Sequence, residues 1–377
     1  MTKNCAICHE TSHGTHFGVV SCRACAAFFR RSIVLGKKYV CKKNHDFKQQ
    51  CKFCRLQKCL KLGMTTDNVK LNYDTATNTQ KSNKEEVSVE LESNEFGETR
   101  VKLDISELLK RIQKLLHSYK PQKFPENTTS LQKMNIALSE YQSLHSSKII
   151  QFVTEISMKE VLIVSNHQLK SIAKFLMNSE PYTELSLDDK MKMLKCIWVQ
   201  FKRLERYCST AHIFGERMYT ERIVTVIPGI AACIDNLKVN YAHFIYKRAE
   251  SMKIHMTTYN EKMMEEVAKP IVELELTTPE IAFMLTRMAW QVAGKQLQGK
   301  VLENAEKALE KLDDDLHFYY VNEMKVTNYA SRLIKMMDVL NSVQKIHYDR
   351  QNFMDLIRIF DTICVQVSDP ELYKSYF

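Results

Sequence analysis

The stretch that decides the fold of the N-terminal part of the chain is CAIC at residues 5–8, followed after 13 residues by CRAC at residues 22–25. Two Cys-x2-Cys pairs at this spacing supply four thiolates, which form a closed tetrahedral Zn²⁺ site. A closed site has no open coordination position, so its metal holds the fold and does not activate water. The alternative, four free buried cysteines, leaves the paired spacing unexplained. We therefore predict one structural zinc ion bound by Cys5, Cys8, Cys22 and Cys25.

A second group of cysteines follows, with nine residues between Cys41 and Cys51 and two more before Cys54. Three thiolates need a fourth ligand to close a tetrahedral site. His45 is the best candidate, because Cys3His is an ordinary structural zinc set. The alternatives are that His45 is a surface residue or that Cys59 takes its place. The sequence thus predicts a second zinc site at Cys41, His45, Cys51 and Cys54.

The run AAFFRRSIVL at residues 26–35 is typical of a helix that ends at Gly36. Large apolar side chains on one side, Phe28, Phe29, Ile33 and Val34, are expected to form a core. Small and basic side chains recur at i, i+3, i+4 and i+7 on another side and suit close approach to a DNA groove: Arg23, Ala26, Ala27 and Arg30. Further basic residues are placed for phosphates, with solvated charge as the alternative: Arg31, Lys37 and Lys38.

Together these motifs resemble the DNA-binding domain of the nuclear hormone receptors, and CRACAAFFRR at residues 22–31 is similar to the expanded nematode branch of that family. The resemblance implies a recognition helix that begins near Cys22 and lies in the major groove, crossed by a second helix from about Cys51. In the second helix Phe53, Leu56 and Leu60 have core spacing, Arg55 and Lys58 are expected to face outward, and Cys59 matches a non-ligand cysteine of the family. The expected DNA-binding residues are Arg23, Ala24, Ala26, Ala27, Arg30, Arg31, Lys37, Lys38, Arg55 and Lys58.

The chain departs from the family pattern at two points. The segment between Cys41 and Cys51 is shortened and lacks one cysteine, and family members use this segment for dimer contacts on DNA. Binding as a receptor homodimer or heterodimer therefore stays open beside binding as a monomer. Ala26 stands where many members carry a guanine-binding lysine, so no target sequence carries over. Arg23 becomes the expected base reader, with a phosphate contact as the alternative.

Charge and composition divide the chain into three parts. Residues 1–64 hold 13 Lys and Arg against Glu10 and Asp46, whereas the remaining residues hold 41 basic and 42 acidic side chains. The expected parts are a zinc-finger DNA-binding domain at residues 2–64, a flexible hinge at 65–100 and a helical domain at 101–377. The hinge is expected from its polar composition, which buries too little apolar surface. No secretory or membrane-spanning segment is expected, so we read the cysteines as belonging to a reducing compartment.

The large domain shows helical periodicity, with one apolar stripe from Ile105 to Leu116 and another from Leu302 to Leu312. Residues 172–175 and 185–194 resemble the helix 3 to helix 5 signature of the receptor ligand-binding domain. This resemblance implies an all-α three-layer helical sandwich with an apolar ligand cavity and a groove for a coregulator LxxLL helix. Lys174 would cap that helix, or is an ordinary exposed lysine, and Glu371 is the candidate for the opposite clamp.

The preferred hypothesis is a zinc-dependent nuclear receptor transcription factor, ligand-regulated or orphan, that acts in the nucleus on RNA polymerase II transcription. Its expected partners are double-stranded DNA, coregulators and a small apolar ligand of unknown identity, with no membrane partner. The alternative is a DNA-independent partner protein of coregulators or other receptors, with a degenerate second finger. An enzyme is disfavoured, because the HExxH match at residues 9–13 lies in a short polar loop and lacks the helical context of zinc proteases.

Overall fold

The computed structural model describes residues 3–12, 14–34, 39, 41, 51–64, 88–93, 99–120, 122–145, 147, 149–240, 249–359 and 365–373. The chain divides into two compact units, residues 1–82 and residues 83–377. Each unit is described by itself.

Among the described residues of the first unit are two short β-hairpins and two helices. In the second hairpin Phe17 and Gly18 both have positive φ, 54° and 85°, which is the backbone of the two-residue turn that fits the twist of paired strands. Phe29 is fully buried beside Ile7 and the cysteines of the first pair. The elements are β1 (Lys3–Asn4), β2 (Thr11–Ser12), β3 (Thr15–His16), β4 (Val19–Val20), α1 (Arg23–Val34) and α2 (Lys52–Lys61).

The second unit is mostly helical, with small sheets at its edges. Its first part comprises β5 (Ser88–Ser93), β6 (Thr99–Asp104), α3 (Ser106–Ser118), α4 (Ser130–His145), β7 (Gln151–Phe152), β8 (Glu155–Ser157), α5 (Met158–Leu176), α6 (Glu180–Thr183), α7 (Leu187–Phe214) and α8 (Arg217–Thr220). The rest comprises β9 (Ile223–Ile227), β10 (Ile230–Cys233), β11 (Lys238–Asn240), α9 (Ala249–Met263), a π-helical turn (Met264–Ala268), α10 (Lys269–Leu274), α11 (Thr278–Gln296), α12 (Lys300–Phe318), a second π-helical turn (Tyr319–Glu323), α13 (Ala330–Ile359) and β12 (Val365–Val367).

Helix α7 is the centre of this unit. It packs on α3, α5, α10, α11 and α13, and residues around its whole circumference are buried, including Trp198, Phe201 and Leu204. A helix that is enclosed in this way is the middle layer of a helical sandwich. The predicted all-α three-layer architecture is confirmed.

The two apolar stripes read from the sequence lie on buried helix faces, as predicted. Helix α3 buries Leu108, Ile112 and Leu116, and α12 buries Ala305 and Leu312. A short strand, β9, precedes Pro228 and pairs antiparallel with β10. Local periodicity was therefore a sufficient signal for α3 and α12.

Residues 65–100, where the sequence predicts a flexible hinge, include two stretches that the structure describes, residues 88–93 and residues 99–100. Residues 88–93 form β5 and residues 99–104 form β6, and the two strands pair antiparallel. On its other side β6 pairs parallel with β12, giving a sheet in the order β12-β6-β5. The polar composition gave no sign of this sheet, and one of its three strands, β12, lies at the opposite end of the domain in sequence.

Candidate zinc centres and nucleic-acid interface

The four cysteines of the first predicted site converge in the structure. The Sγ atoms of Cys5, Cys8, Cys22 and Cys25 all lie within 4.8 Å of one another, and Cys8 Sγ is 3.5 Å from Cys22 Sγ. A tetrahedral ion with Zn–S distances of about 2.3 Å separates its sulfurs by about 3.8 Å. The donor set therefore has the chemistry and the spacing of a structural zinc site.

Two local structures bring these thiols together. Cys5 and Cys8 lie in the turn between β1 and β2, where Cys5 N donates to Glu10 O at 2.8 Å. Cys22 precedes α1 and Cys25 lies in its first turn, with Cys25 N donating to Cys22 Sγ at 3.4 Å. Burial opposes ionisation of Cys5, but backbone N–H groups bond its sulfur and lower its pKa to about 6. At Cys8 and Cys25, in contrast, burial raises the pKa of the thiol.

The second centre brings together three thiols among the described residues. Cys41 Sγ lies 3.8 Å from Cys54 Sγ and 3.9 Å from Cys51 Sγ, and all three sulfurs lie within 4.8 Å of one another. Cys51 is the N-cap residue of α2 and Cys54 lies in its first turn. His45, the predicted fourth ligand, lies outside the described residues.

Cys59 is placed away from the second centre. It is fully buried in the core formed around Cys5 and Cys8, and burial raises the pKa of its thiol to about 11. A neutral buried thiol is a packing residue. The family pattern of a non-ligand cysteine fits this position, and the alternative in which Cys59 replaces His45 has no support in the structure.

Helix α1 presents Arg23 and Ala24 as exposed residues at its start, with Ala27 half-buried one turn later. Ala26 is only 7% exposed, so it does not share an exposed face with Arg23, contrary to the prediction. The reason is helical spacing, because Ala26 lies four residues after the ligand Cys22 and therefore on the inward side. The side chains of Arg30 and Arg31, and residues Lys37 and Lys38 altogether, lie outside the described residues.

The orientations of three side chains on α2 differ from the prediction. Arg55 and Lys58 were expected to face outward, but both point into their own module: Arg55 Nη2 donates to Cys25 Sγ at 3.1 Å, and Lys58 Nζ donates to Ile7 O at 2.9 Å. Leu60, expected in the core, is 44% exposed. Core spacing on a ten-residue helix did not identify the inward face, because long basic side chains occupy part of it.

In the second unit, Lys174 is exposed near the C-terminus of α5, as a groove residue must be. Glu371 is also exposed, but it lies in a turn that follows β12 and not on a helix. Its carboxylate is 3.5 Å from Lys195 Nζ on α7. Within the residues that are described, no helix is long and apolar enough to cross a membrane.

Comparison with known proteins agrees with this geometry. The family model described as a double treble clef zinc finger of C4 type matches residues 3–66, and the model of the ligand-binding domain of nuclear hormone receptors matches residues 146–360. The nuclear hormone receptor family member nhr-213 of Caenorhabditis elegans is 33% identical, covering 95% of this chain and 91% of the relative. The family member nhr-54 of the same organism is 31% identical, covering 98% and 96% respectively.

A C4 zinc-finger module followed by an all-helical ligand-binding domain defines the class of zinc-dependent transcription factors with a ligand-binding domain. The chain belongs to the nuclear hormone receptor family, and the similar proteins named above are its nematode members. Zinc is the cofactor of the finger module, and the two cysteine clusters fit it.

Proposed function

We propose that this receptor binds double-stranded DNA in a sequence-specific manner and regulates RNA polymerase II transcription from the nucleus. The observation that carries the proposal is the exposed start of α1, where Arg23 projects next to a four-thiol centre that fixes the helix end. An arginine held at the first turn of a groove-binding helix can reach a base edge, and guanine is its usual partner.

In this proposal the zinc ions act through the fold. Cys5, Cys8, Cys22 and Cys25 hold the ion that anchors the start of α1, and Cys41, His45, Cys51 and Cys54 hold the ion at the start of α2. Each ion replaces a hydrophobic core that so small a module lacks. DNA contacts then come from Arg23, Ala24 and Ala27 on the recognition helix and from Arg30, Arg31, Lys37 and Lys38 on phosphates.

The second unit supplies the regulatory function in this proposal. A small apolar ligand would bind within the helical sandwich, and a coregulator LxxLL helix would dock near the end of α5, where Lys174 faces the negative end of its dipole. Glu371 is the proposed opposite clamp, and its 80% exposed side chain is accessible to a partner. Orphan or ligand-regulated behaviour, and action as a monomer or as a homodimer or heterodimer, are equally compatible with this arrangement.

The test is selection of the zinc-loaded full-length chain against a random DNA duplex library, followed by binding measurements over a salt series. We expect one short half-site to be enriched, with log Kd changing by about 0.9 per log unit of salt for each phosphate contact. Arg23→Ala should relax the preference at one base position. Lys52→Ala, at an exposed lysine of α2, should leave the preference unchanged.

Weak binding without any enriched sequence would contradict the proposal. The shortened segment between Cys41 and Cys51, which lacks one cysteine of the family pattern, favours the other candidate, a DNA-independent partner protein of coregulators or receptors. That candidate predicts coregulator binding by the full chain with no salt-dependent DNA binding.

A further inference from the structure

Two basic side chains of α2 contact the first zinc centre, one at each of its Cys-x2-Cys pairs. The Arg55 guanidinium donates from Nη2 to the ligand sulfur of Cys25 at 3.1 Å. One helical turn later, Lys58 Nζ donates to the backbone oxygen of Ile7 at 2.9 Å. Because Ile7 lies inside the first pair and Cys25 ends the second, the two contacts reach both halves of the centre.

Arg55 is also fixed by an aromatic contact with α1. Its Cζ lies 4.7 Å from the centroid of the Phe28 ring, and this ring stacks on Tyr39 at 6.0 Å between centroids. A guanidinium that lies on a ring and donates to a sulfur is held at two points, unlike the mobile charge of a surface phosphate contact. Hydrogen bonds to a metal-bound thiolate orient the ligand and strengthen its binding.

We propose that Arg55 and Lys58 are positioning residues that clamp the first zinc centre to α2 and thereby set the direction of the recognition helix α1. Helix α1 begins inside the second Cys-x2-Cys pair, so a shift of Cys25 relative to α2 moves the whole DNA-facing surface. The proposal rests on the proposed DNA-binding function, but zinc retention tests it without DNA.

The first experiment measures zinc release from the full-length chain to a chromogenic chelator. Arg55→Met should speed release of the first ion about tenfold, as loss of an outer-shell partner does at other metal sites. Arg55→Lys should behave like the methionine variant, because an ammonium cannot form the planar stack and the N–H···S bond together. Lys52→Met, on the exposed side of the same helix, is the matched control and should leave the rate unchanged. If both Arg55 variants release zinc at the wild-type rate, the proposed positioning role of Arg55 is contradicted.

The second experiment separates positioning from phosphate neutralisation by the salt dependence of DNA binding. A positioning role predicts that Arg55→Met weakens binding while the salt slope stays at the wild-type value. A phosphate contact predicts a slope smaller by about 0.9 and rescue by Arg55→Lys. Absence of DNA binding by the wild-type chain would contradict the proposed function, while the zinc-release result would still decide the clamp.

A separate observation concerns the C-terminal strand β12. It pairs parallel with β6 in the register Val365↔Val101 to Val367↔Leu103, and Val101 and Leu103 are fully buried. The ladder continues beyond the strand, because Ser368 N donates to Leu103 O at 3.0 Å. The hydroxyl of Ser368 also accepts from the backbone of Ile105 at 2.9 Å, at the residue before α3.

The residues after β12 are anchored on α5 and α7. Lys195 and Asp369 form an ion pair at 2.6 Å with both side chains mostly buried. Trp198 Nε1 donates to Leu372 O at 2.8 Å, and the Tyr373 hydroxyl donates to Asn166 Oδ1. Leu372 and Tyr373 are each only 1% exposed, so this turn is part of the core.

From these contacts we infer that residues 365–373 form a strap that holds β5 and β6, the residues that precede the helical domain, in one cooperative unit with α5 and α7. Strand β6 has β5 on one side and the strap on the other. Release of the strap would leave β6 with an open edge and only a two-stranded hairpin, which is marginal by itself.

The test is hydrogen exchange of the full-length chain with Gln366→Pro. Proline in the middle of β12 cannot donate to the ladder and distorts the strand, so exchange of residues 88–93 and 99–104 should rise about tenfold. Gln366→Ala keeps the N–H group at an exposed position and is the matched control. Wild-type exchange in α11 and α12 would show that the domain is folded.

If the Gln366→Pro variant is folded and residues 88–93 and 99–104 exchange hydrogen at the wild-type rate, the proposed role of the strap is contradicted. Where that variant fails to fold, Ser368→Ala takes its place, because it removes the acceptor of Ile105 N and leaves the ladder backbone intact. For this variant the strap predicts faster exchange at residues 99–105, and an unchanged rate there would equally contradict it.

Discussion

Arg332 on α13 holds the carboxylate of Glu280 on α11 with two donors, Nε to Oε1 at 2.5 Å and Nη2 to Oε2 at 2.8 Å. The Tyr320 hydroxyl donates to the same carboxylate. The Glu280 side chain is 1% exposed. The positive charge of the arginine compensates for the hydration that the buried carboxylate loses. This ion pair therefore ties two long helices of the ligand-binding domain together.

Removal of the arginine should destabilise the domain strongly. Arg332→Met leaves a buried carboxylate unpaired, and we expect the free energy of unfolding to fall by about 3 kcal/mol, measured by urea denaturation. Arg217→Met breaks an exposed pair with Glu221 on α8 and should leave the stability nearly unchanged. Equal losses in the two variants would contradict a special role for the buried pair.

The same pair predicts a pH dependence. Burial opposes ionisation of Glu280, but hydrogen bonds from Arg332 and Tyr320 lower its pKa below the usual 4.5. A carboxylate with a lowered folded-state pKa contributes its full stability above about pH 4.5 and loses it as the pH falls through the folded-state value. Compared with Glu280→Gln, the wild type should be more stable at neutral pH, and the difference should shrink in acid. A gap that is constant with pH would show that the charge is not the cause.

Gly294 on α11 faces α12 at close range. A Cβ built on this glycine would lie 3.0 Å from Ala305 Cβ, which is tighter than ordinary packing. Gly294→Ala should therefore destabilise the domain by about 1 to 3 kcal/mol, although alanine favours a helix. The double variant Gly294→Ala with Ala305→Gly should recover part of the loss in thermal unfolding. If Gly294→Ala stabilised the domain, α11 and α12 would be able to move apart without loss of packing.

Zinc content should distinguish a ligand cysteine from a packing cysteine. Cys25→Ser removes a thiolate from the first centre, so the purified chain should lose about one zinc ion per molecule by elemental analysis. Cys59→Ser, at a buried thiol outside both clusters, should keep the wild-type zinc content. Loss of zinc in the Cys59 variant would assign that residue to the metal sites.

Binding of an LxxLL peptide tests the proposed groove. Lys174→Ala removes a cation from the C-terminal end of the docked helix, and affinity should fall about twofold to fivefold in fluorescence polarisation. Lys159→Ala, at an exposed lysine in the first turn of the same helix α5, is the matched control. Equal affinities of the two variants would place the peptide elsewhere.

Much of the fold could be predicted because its signals are local. The Cys-x2-Cys pairs place two sulfurs within one turn of backbone, and zinc chemistry then requires the pairs to meet. Helix α1 follows from the run between Cys22 and Gly36, and α3 follows from apolar residues at 3.6-residue spacing. In each case residues close in the chain carry the whole signal.

The periodicity of a single helix did not show which of its side chains face inward, and long-range contacts decided this for α1 and α2. Arg55 and Lys58 have basic side chains on a short helix, and only the position of the first zinc centre shows that they point inward. Ala26 was expected to face DNA, but the helix turns it towards the core because Cys22 is committed to the metal centre.

By itself, then, the sequence predicted that the four thiols of the first centre meet, the helical class of the second domain and the family, since these depend on spacing along the chain. Only the tertiary structure decided that β12 pairs with β6 and that Tyr373 is a core residue. These C-terminal contacts join residues that are far apart in sequence: Trp198 bonds Leu372, 174 positions later, and Ile105 bonds Ser368, 263 positions later. A strand or a tail residue is stabilised by the surface it meets, and no local pattern reports that surface.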